Sequence, residues 1–181
     1  HRPRRAGDVP LPGGAVVTTN LAASVHQRLL NHARATGRPF NEVLQRFALE
    51  RFLYRLGQSP YAGRFVLKGA LMLTAWQVPY PRPTRDIDLL GRMNNNVAQV
   101  VSAIEAICQE PVTDDGLRFE TEDIVGERIT ETASYAGVRL RFAAFLGKAR
   151  ISMRIDVGFG DPLVPGSSLV QLPTVLDFPR A

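Results

Sequence analysis

The chain is almost devoid of cysteine and of lysine. Cys108 is the single cysteine among 181 residues, so neither an internal disulfide nor a cysteine-rich zinc site can form, which suits a reducing compartment. Lys68 and Lys148 are the only lysines, against twenty arginines. Such a skew follows genomic base composition as readily as it follows a nucleic-acid partner, so arginine richness alone identifies no ligand. No apolar run approaches the roughly 20 residues that cross a bilayer, and no secretory signal is visible, which makes a cytoplasmic location the expectation. There is also no internal repeat, no low-complexity segment and no Ser-His-Asp or Cys-His set. The chain opens on His1 rather than Met and is expected to be part of a longer reading frame.

What remains is an ordinary globular composition, 45% hydrophobic and 22% charged, with a net charge of +5 that permits an anionic partner without proving one. Residues 1–19 combine Arg, Pro and Gly with little periodicity and predict a flexible basic arm. Asn20 is the expected N-cap of a helix over Leu21–Ala35, broken by Gly37 and Pro39. A second helix is expected over Asn41–Leu56, ended by Gly57. Its apolar positions are too many for a helix lying in a DNA groove, so the pair reads as a helical hairpin packed on the core.

Farther on, Phe65–Leu67 predicts a short strand and Ala70–Trp76 a helix, with Lys68 and Gly69 between them. A glycine at a strand–helix junction can present backbone N–H groups to phosphate. Pro79–Pro83 predicts a loop, and Asn94-Asn95-Asn96 predicts the cap of a helix over Val97–Gln109. Thr113–Ile129 suggests short strands, with Asp114, Asp115, Glu120, Glu122 and Asp123 on a solvated face. The clearest signal is a hairpin. Val138, Leu140 and Phe142 alternate with arginines, a turn falls near Leu146–Ala149, and Ile151, Met153, Ile155 and Val157 alternate with polar residues that include Asp156. The tail from Asp161 to Ala181 reads as loop. The fold class expected is α+β.

The chemistry concentrates in Arg82–Leu90. Asp86 and Asp88 are two apart, so in a strand both carboxylates face one side while Ile87 and Leu89 face the other. Adjacent carboxylates repel unless a positive charge intervenes, and a divalent cation shared with nucleotide phosphates is one solution. A strand end with two solvated aspartates is the alternative. Arg82, Arg85 and Arg154 can neutralise phosphates or pair with carboxylates inside the fold.

Gly69 at its junction, the Asp86-Ile87-Asp88 run and the later Ile155-Asp156-Val157 run occur in the order of the polymerase β-like nucleotidyltransferase signature. Together with Phe65–Leu71, Arg82–Leu90 and Asp156–Asp161 they resemble the AbiEii/AbiGii toxin family of type IV toxin–antitoxin systems, which includes the MenT enzymes. The resemblance runs from about Asn20 to the end of the chain. It implies a polymerase β-like fold, a mixed, antiparallel-rich sheet carrying the N-terminal helical hairpin. It divides the chain into the arm, a nucleotidyltransferase domain over residues 20–162, and a Pro-rich linker over residues 163–181 towards a C-terminal helical region that this chain lacks.

The activity implied is Mg²⁺-dependent transfer of a nucleotide from an NTP to RNA, the 3′ end of tRNA in the MenT branch, under control of an AbiEi-type antitoxin. Asp86, Asp88 and Asp156 match the catalytic metal ligands, and Lys68, Gly69, Ala70, Thr84 and Arg85 the nucleotide-binding positions. Ala70 departs from the Gly or Ser of the broad signature and offers no hydroxyl. A protein or small-molecule acceptor, or a truncated domain that only binds a nucleotide or partner, is the alternative.

Overall fold

The structure is a computed structural model that describes residues 15–75, 83–132, 135–160 and 166–181. Helix α1 spans Ala15–Thr36 and α2 spans Phe40–Gln58. Gly37, at φ 67°, turns the chain between them, and the Arg38 N–H reaches back to the Ala33 carbonyl at 3.0 Å in a Schellman closure.

Two helix ends differ from expectation. Asn20 lies inside α1, which already begins at Ala15, whereas a cap residue needs a non-helical backbone. The β-branched run before it lowers helix propensity by only a few tenths of a kcal/mol per residue, too little to stop a helix. Residues 1–14 of the expected arm lie outside the described residues. Gly57 does not end α2 either, because an interior glycine costs only about 1 kcal/mol. The helix closes at Ser59, whose N–H and hydroxyl both donate to the Leu56 carbonyl, at 3.2 and 2.8 Å.

Strands β1 (Phe65–Lys68), β2 (Ile87–Gly91), β3 (Leu117–Thr132), β4 (Tyr135–Leu146) and β5 (Ala149–Phe159) form one sheet in the order β1-β2-β5-β4-β3. Only β2 and β5 pair in parallel, so the α+β class and the antiparallel-rich mixed sheet are as expected. The short helix α3 (Ala70–Ala75) follows β1, and α4 (Val97–Cys108) follows β2. The Asn96 side chain caps α4 by accepting the Gln99 N–H at 3.1 Å. Trp76, Arg82 and most of the Pro79–Pro83 loop lie outside the described residues.

The short strands expected within Thr113–Ile129 are instead one long strand, β3, whose register slips between Glu120 and Val125. The solvated acidic face expected there is also corrected at Asp115. That residue is buried and holds Arg55 of α2 through two hydrogen bonds, at 2.7 and 3.0 Å. A buried carboxylate persists only with such partners.

One face of the sheet makes the core. Ile87, Leu89, Ile155, Val157, Val138 and Leu140 are fully buried, and α2 and α4 pack into the same core. Phe52 of α2 meets Phe119 and Phe142 in an aromatic cluster. Gly126 lets α4 come close, since a Cβ there would meet Val101 and Val97 at 2.7 and 2.9 Å. The tail contains neither helix nor strand among its described residues, yet it is docked on α2. The Val175 N–H donates to Glu50 at 2.9 Å, Arg51 donates to the Pro179 carbonyl, and Phe178 packs on Phe47. No described helix is long and apolar enough to cross a membrane.

Candidate active site

Strand register determines what the polar face of the sheet displays. Residues that pair across neighbouring strands point to the same side. Lys68 pairs with Asp88, Asp88 with Asp156, Asp156 with Arg139, and Arg139 with Glu127. A single row of charged side chains therefore crosses all five strands. Two neighbouring members, Asp88 and Asp156, carry the same charge on adjacent strands.

Asp156 is neutralised from two sides. Arg139 donates Nε and Nη2 to its two oxygens, each at 2.8 Å, and Arg154 donates Nε and Nη2 at 3.4 and 2.9 Å. The Asp156 side chain is only 8% exposed. Burial alone pushes its carboxyl upward, but the hydrogen bonds and charges of the two guanidiniums outweigh burial and hold it below the ordinary 3.8. The same hydrogen bonds raise both arginines.

Asp86 stands immediately before β2, and its Oδ2 lies 3.5 Å from Nη1 of Arg154. Arg154 thus links Asp86 to Asp156. The backbone entering Asp86 is fixed by Gln45 of α2, whose amide donates to the carbonyls of Arg85 and Ser152 at 3.3 and 2.9 Å. Gln45 escaped sequence reasoning because nothing in its helical pattern distinguishes it. Its role comes from α2 crossing the sheet.

On the other side of β2, Gly69 sits at φ 72°, and a Cβ built there would lie 2.2 Å from Oδ2 of Asp88. The junction between β1 and α3 therefore favours glycine, for backbone and for space. Ala70 opens α3 next to it. Thr84, Arg85, Asp86, Arg141, Arg150 and Arg154 line a groove of about 890 Å³ that runs along the β4–β5 hairpin to the start of α2. Lys68, Gly69, Ala70, Asp88 and Asp156 are not among its lining residues.

A carboxylate pair at the head of an interior strand, beside a glycine turn and an arginine-lined groove, is suited to holding a polyphosphate. The family model of the nucleotidyl transferase AbiEii toxin of type IV toxin–antitoxin systems matches residues 51–181. The chain belongs to this family. No curated protein and no solved structure matches it. The AbiEii chain is accordingly a nucleotidyl transferase and the toxin half of a toxin–antitoxin pair, with an antitoxin as partner and a nucleotide as substrate.

Nucleotidyl transferases generally draw on an NTP and a divalent cation, and the AbiEii donors can be tested against that need. Among the described residues no group of three or more His, Cys, Asp or Glu side chains stands close enough to hold a metal ion. Mg²⁺, however, is commonly held by one or two carboxylates with substrate phosphates completing its shell. Asp86 and Asp88 fit that requirement in number and kind, whereas Asp156 already receives four guanidinium N–H bonds.

Proposed function

We propose that this AbiEii toxin transfers a nucleotide from an Mg²⁺-bound NTP to RNA, at the 3′ end of tRNA. The contact of Gly69 with Asp88 carries the reading, because it sets a glycine turn, whose backbone a phosphate can approach closely, against a carboxylate on an interior strand of the sheet. Asp86 and Asp88 hold the cation, which when bound supplies charge neutralisation for the triphosphate and for the attacking hydroxyl. The Gly69–Ala70 turn brings backbone close to the nucleotide, and Lys68, across from Asp88, adds positive charge at that end. Thr84 and Arg85 line the groove next to Asp86, where the triphosphate enters. The groove beyond them, with Arg141 and Arg150, receives the acceptor.

Most of the catalysis is positioning. The parallel pairing of β2 with β5 and the bracing of Arg85 by Gln45 hold the carboxylates before substrate arrives. The toxin works in the cytoplasm and is restrained there by an AbiEi-type protein.

Incubating the protein with each of four α-labelled NTPs, Mg²⁺, total tRNA and total protein tests this reading. Label is expected in tRNA. Label in protein or in a small molecule would move the acceptor to another class, and absence of label from every fraction would refute nucleotide transfer by this chain.

A further inference from the structure

The clamp on Asp156 is more than the fold requires of a strand residue. A carboxylate offers two oxygens with about four lone-pair sites. Asp156 receives four N–H donors from two forks, three at 2.8–2.9 Å and one at 3.4 Å, so most of its acceptor capacity is taken within the protein. A cation reaching it would have to displace a guanidinium from a side chain that is 8% exposed.

Arg154 is left differently disposed. Its Nε and Nη2 are spent on Asp156, while Nη1 faces Asp86 at 3.5 Å. The side chain is 39% exposed and lines the groove. A guanidinium fixed on one edge and open on the other has already lost rotamer freedom, so a phosphate that binds it incurs little further ordering cost. Asp86 is too exposed a partner to absorb its charge, and a 3.5 Å contact is long for an N–H···O⁻ bond.

We propose that Asp156 is not a cation ligand but the anchor that aims Arg154, and that Arg154 receives the triphosphate of the NTP. This rests on the reading of Asp86 and Asp88 as the cation site. Asp156 is then a positioning residue and Arg154 a binding residue. Arg139 makes the anchor permanent by holding Asp156 independently of Arg154.

The test uses Mn²⁺ and inorganic tripolyphosphate, which carries the charge of an NTP without a base. Mn²⁺ uptake in the presence of tripolyphosphate is followed by water-proton relaxation, and tripolyphosphate affinity by calorimetry, with circular dichroism reporting the fold. D156N is expected to take up Mn²⁺ within twofold of the unaltered protein, whereas D86N and D88N lose uptake. R154Q is expected to bind tripolyphosphate about tenfold more weakly, a change of about 1.4 kcal/mol, with Mn²⁺ uptake retained once tripolyphosphate is saturating. D156N should share that weakening in part, since Arg154 loses its charged anchor. R154K should recover some of it through charge but not the fork.

Loss of Mn²⁺ uptake in a folded D156N would overturn the proposal. So would unchanged tripolyphosphate affinity in R154Q, which keeps the Arg139–Asp156 fork and decides the matter even if D156N does not fold. Undiminished Mn²⁺ uptake in both D86N and D88N would overturn instead the cation site on which the proposal rests.

Discussion

Gly69→Ala separates the site from the scaffold. The new Cβ would lie 2.2 Å from Oδ2 of Asp88, against the 3.4 Å at which ordinary contact begins, so the carboxylate must retreat by about 1.2 Å. The nearest obstacle is the far end of a side chain, which can move, with Cβ and Cγ of Asp88 behind it at 3.0 Å, so the clash falls first on the position of Asp88. The backbone adds its own term. At φ 72° an alanine costs roughly 1–2 kcal/mol relative to glycine. For a chain of this size each kcal/mol lowers Tm by about 2–4 °C, giving a drop of about 2–8 °C. A displacement of about 1 Å at a reacting centre can cost a hundredfold in rate. G69A is therefore expected to stay folded at 25 °C and to transfer label about a hundredfold more slowly. Gly126→Ala is the control. Its Cβ would press on Val101 and Val97 of α4, at 2.7 and 2.9 Å, lowering stability by overpacking of about 1–3 kcal/mol while leaving Asp88 in place. Transfer by a folded G69A at the unaltered rate would refute the reasoning, as would a G126A that loses activity while still folded.

Other expectations follow from the buried charges. Asp115→Ala strands Arg55 in the core and should cost about 3–5 kcal/mol, measured as a loss of about 6–20 °C in Tm. Glu50 and Asp156 should give opposite pH dependences. Burial raises the Glu50 carboxyl above 4.5 against the pull of Arg46 and the Val175 N–H, so its contribution is full below pH 4.5 and is lost as pH rises through its folded value. The Tm of E50Q relative to the unaltered protein should thus be more favourable at pH 7 than at pH 4. Asp156 is held low, so its contribution is full above pH 3.8 and is lost as pH falls through its folded value, and the Tm penalty of D156N should shrink below that pH. Cys108 is buried and its thiol is pushed up to about 12, so iodoacetamide at pH 8 should label it only after denaturation.

Much of this fold is legible in the sequence where a local pattern and a tertiary demand coincide. The alternation over Val138–Val157 predicts β4, β5 and the turn between them because one face of each strand is buried. Asn96 is readable as a cap because capping is a local hydrogen bond. Asn20 and Gly57 mislead for the converse reason. Their local preferences are worth about 1 kcal/mol or less, and helices continue through such residues when their faces pack. Asp115 looks solvated among its acidic neighbours, and only the approach of α2 supplies the Arg55 that buries it. The same holds at the site. The spacing of Asp86 and Asp88 and a glycine at the strand–helix junction are visible in one dimension, while the closeness of Asp88 that demands the glycine is not. The Arg139 fork on Asp156 depends on the register in which β4 pairs with β5, which the alternation alone does not fix, whereas the Arg154 fork comes from two residues earlier on the same strand. Gln45 is invisible for the same reason, since its two acceptors are Arg85 and Ser152, far from it in sequence.

The central claim is that two carboxylates, Asp86 and Asp88, make the cation site of this nucleotidyl transferase while Asp156 stays in its arginine clamp. Anomalous diffraction from crystals grown with Mn²⁺ and a non-hydrolysable NTP tests it most directly. The account predicts a manganese peak bridging Asp86 and Asp88, phosphate oxygens beside Gly69 and Nη1 of Arg154, and Asp156 still hydrogen-bonded to Arg139 and Arg154. A manganese ion coordinated by Asp156, with either guanidinium displaced, would contradict it.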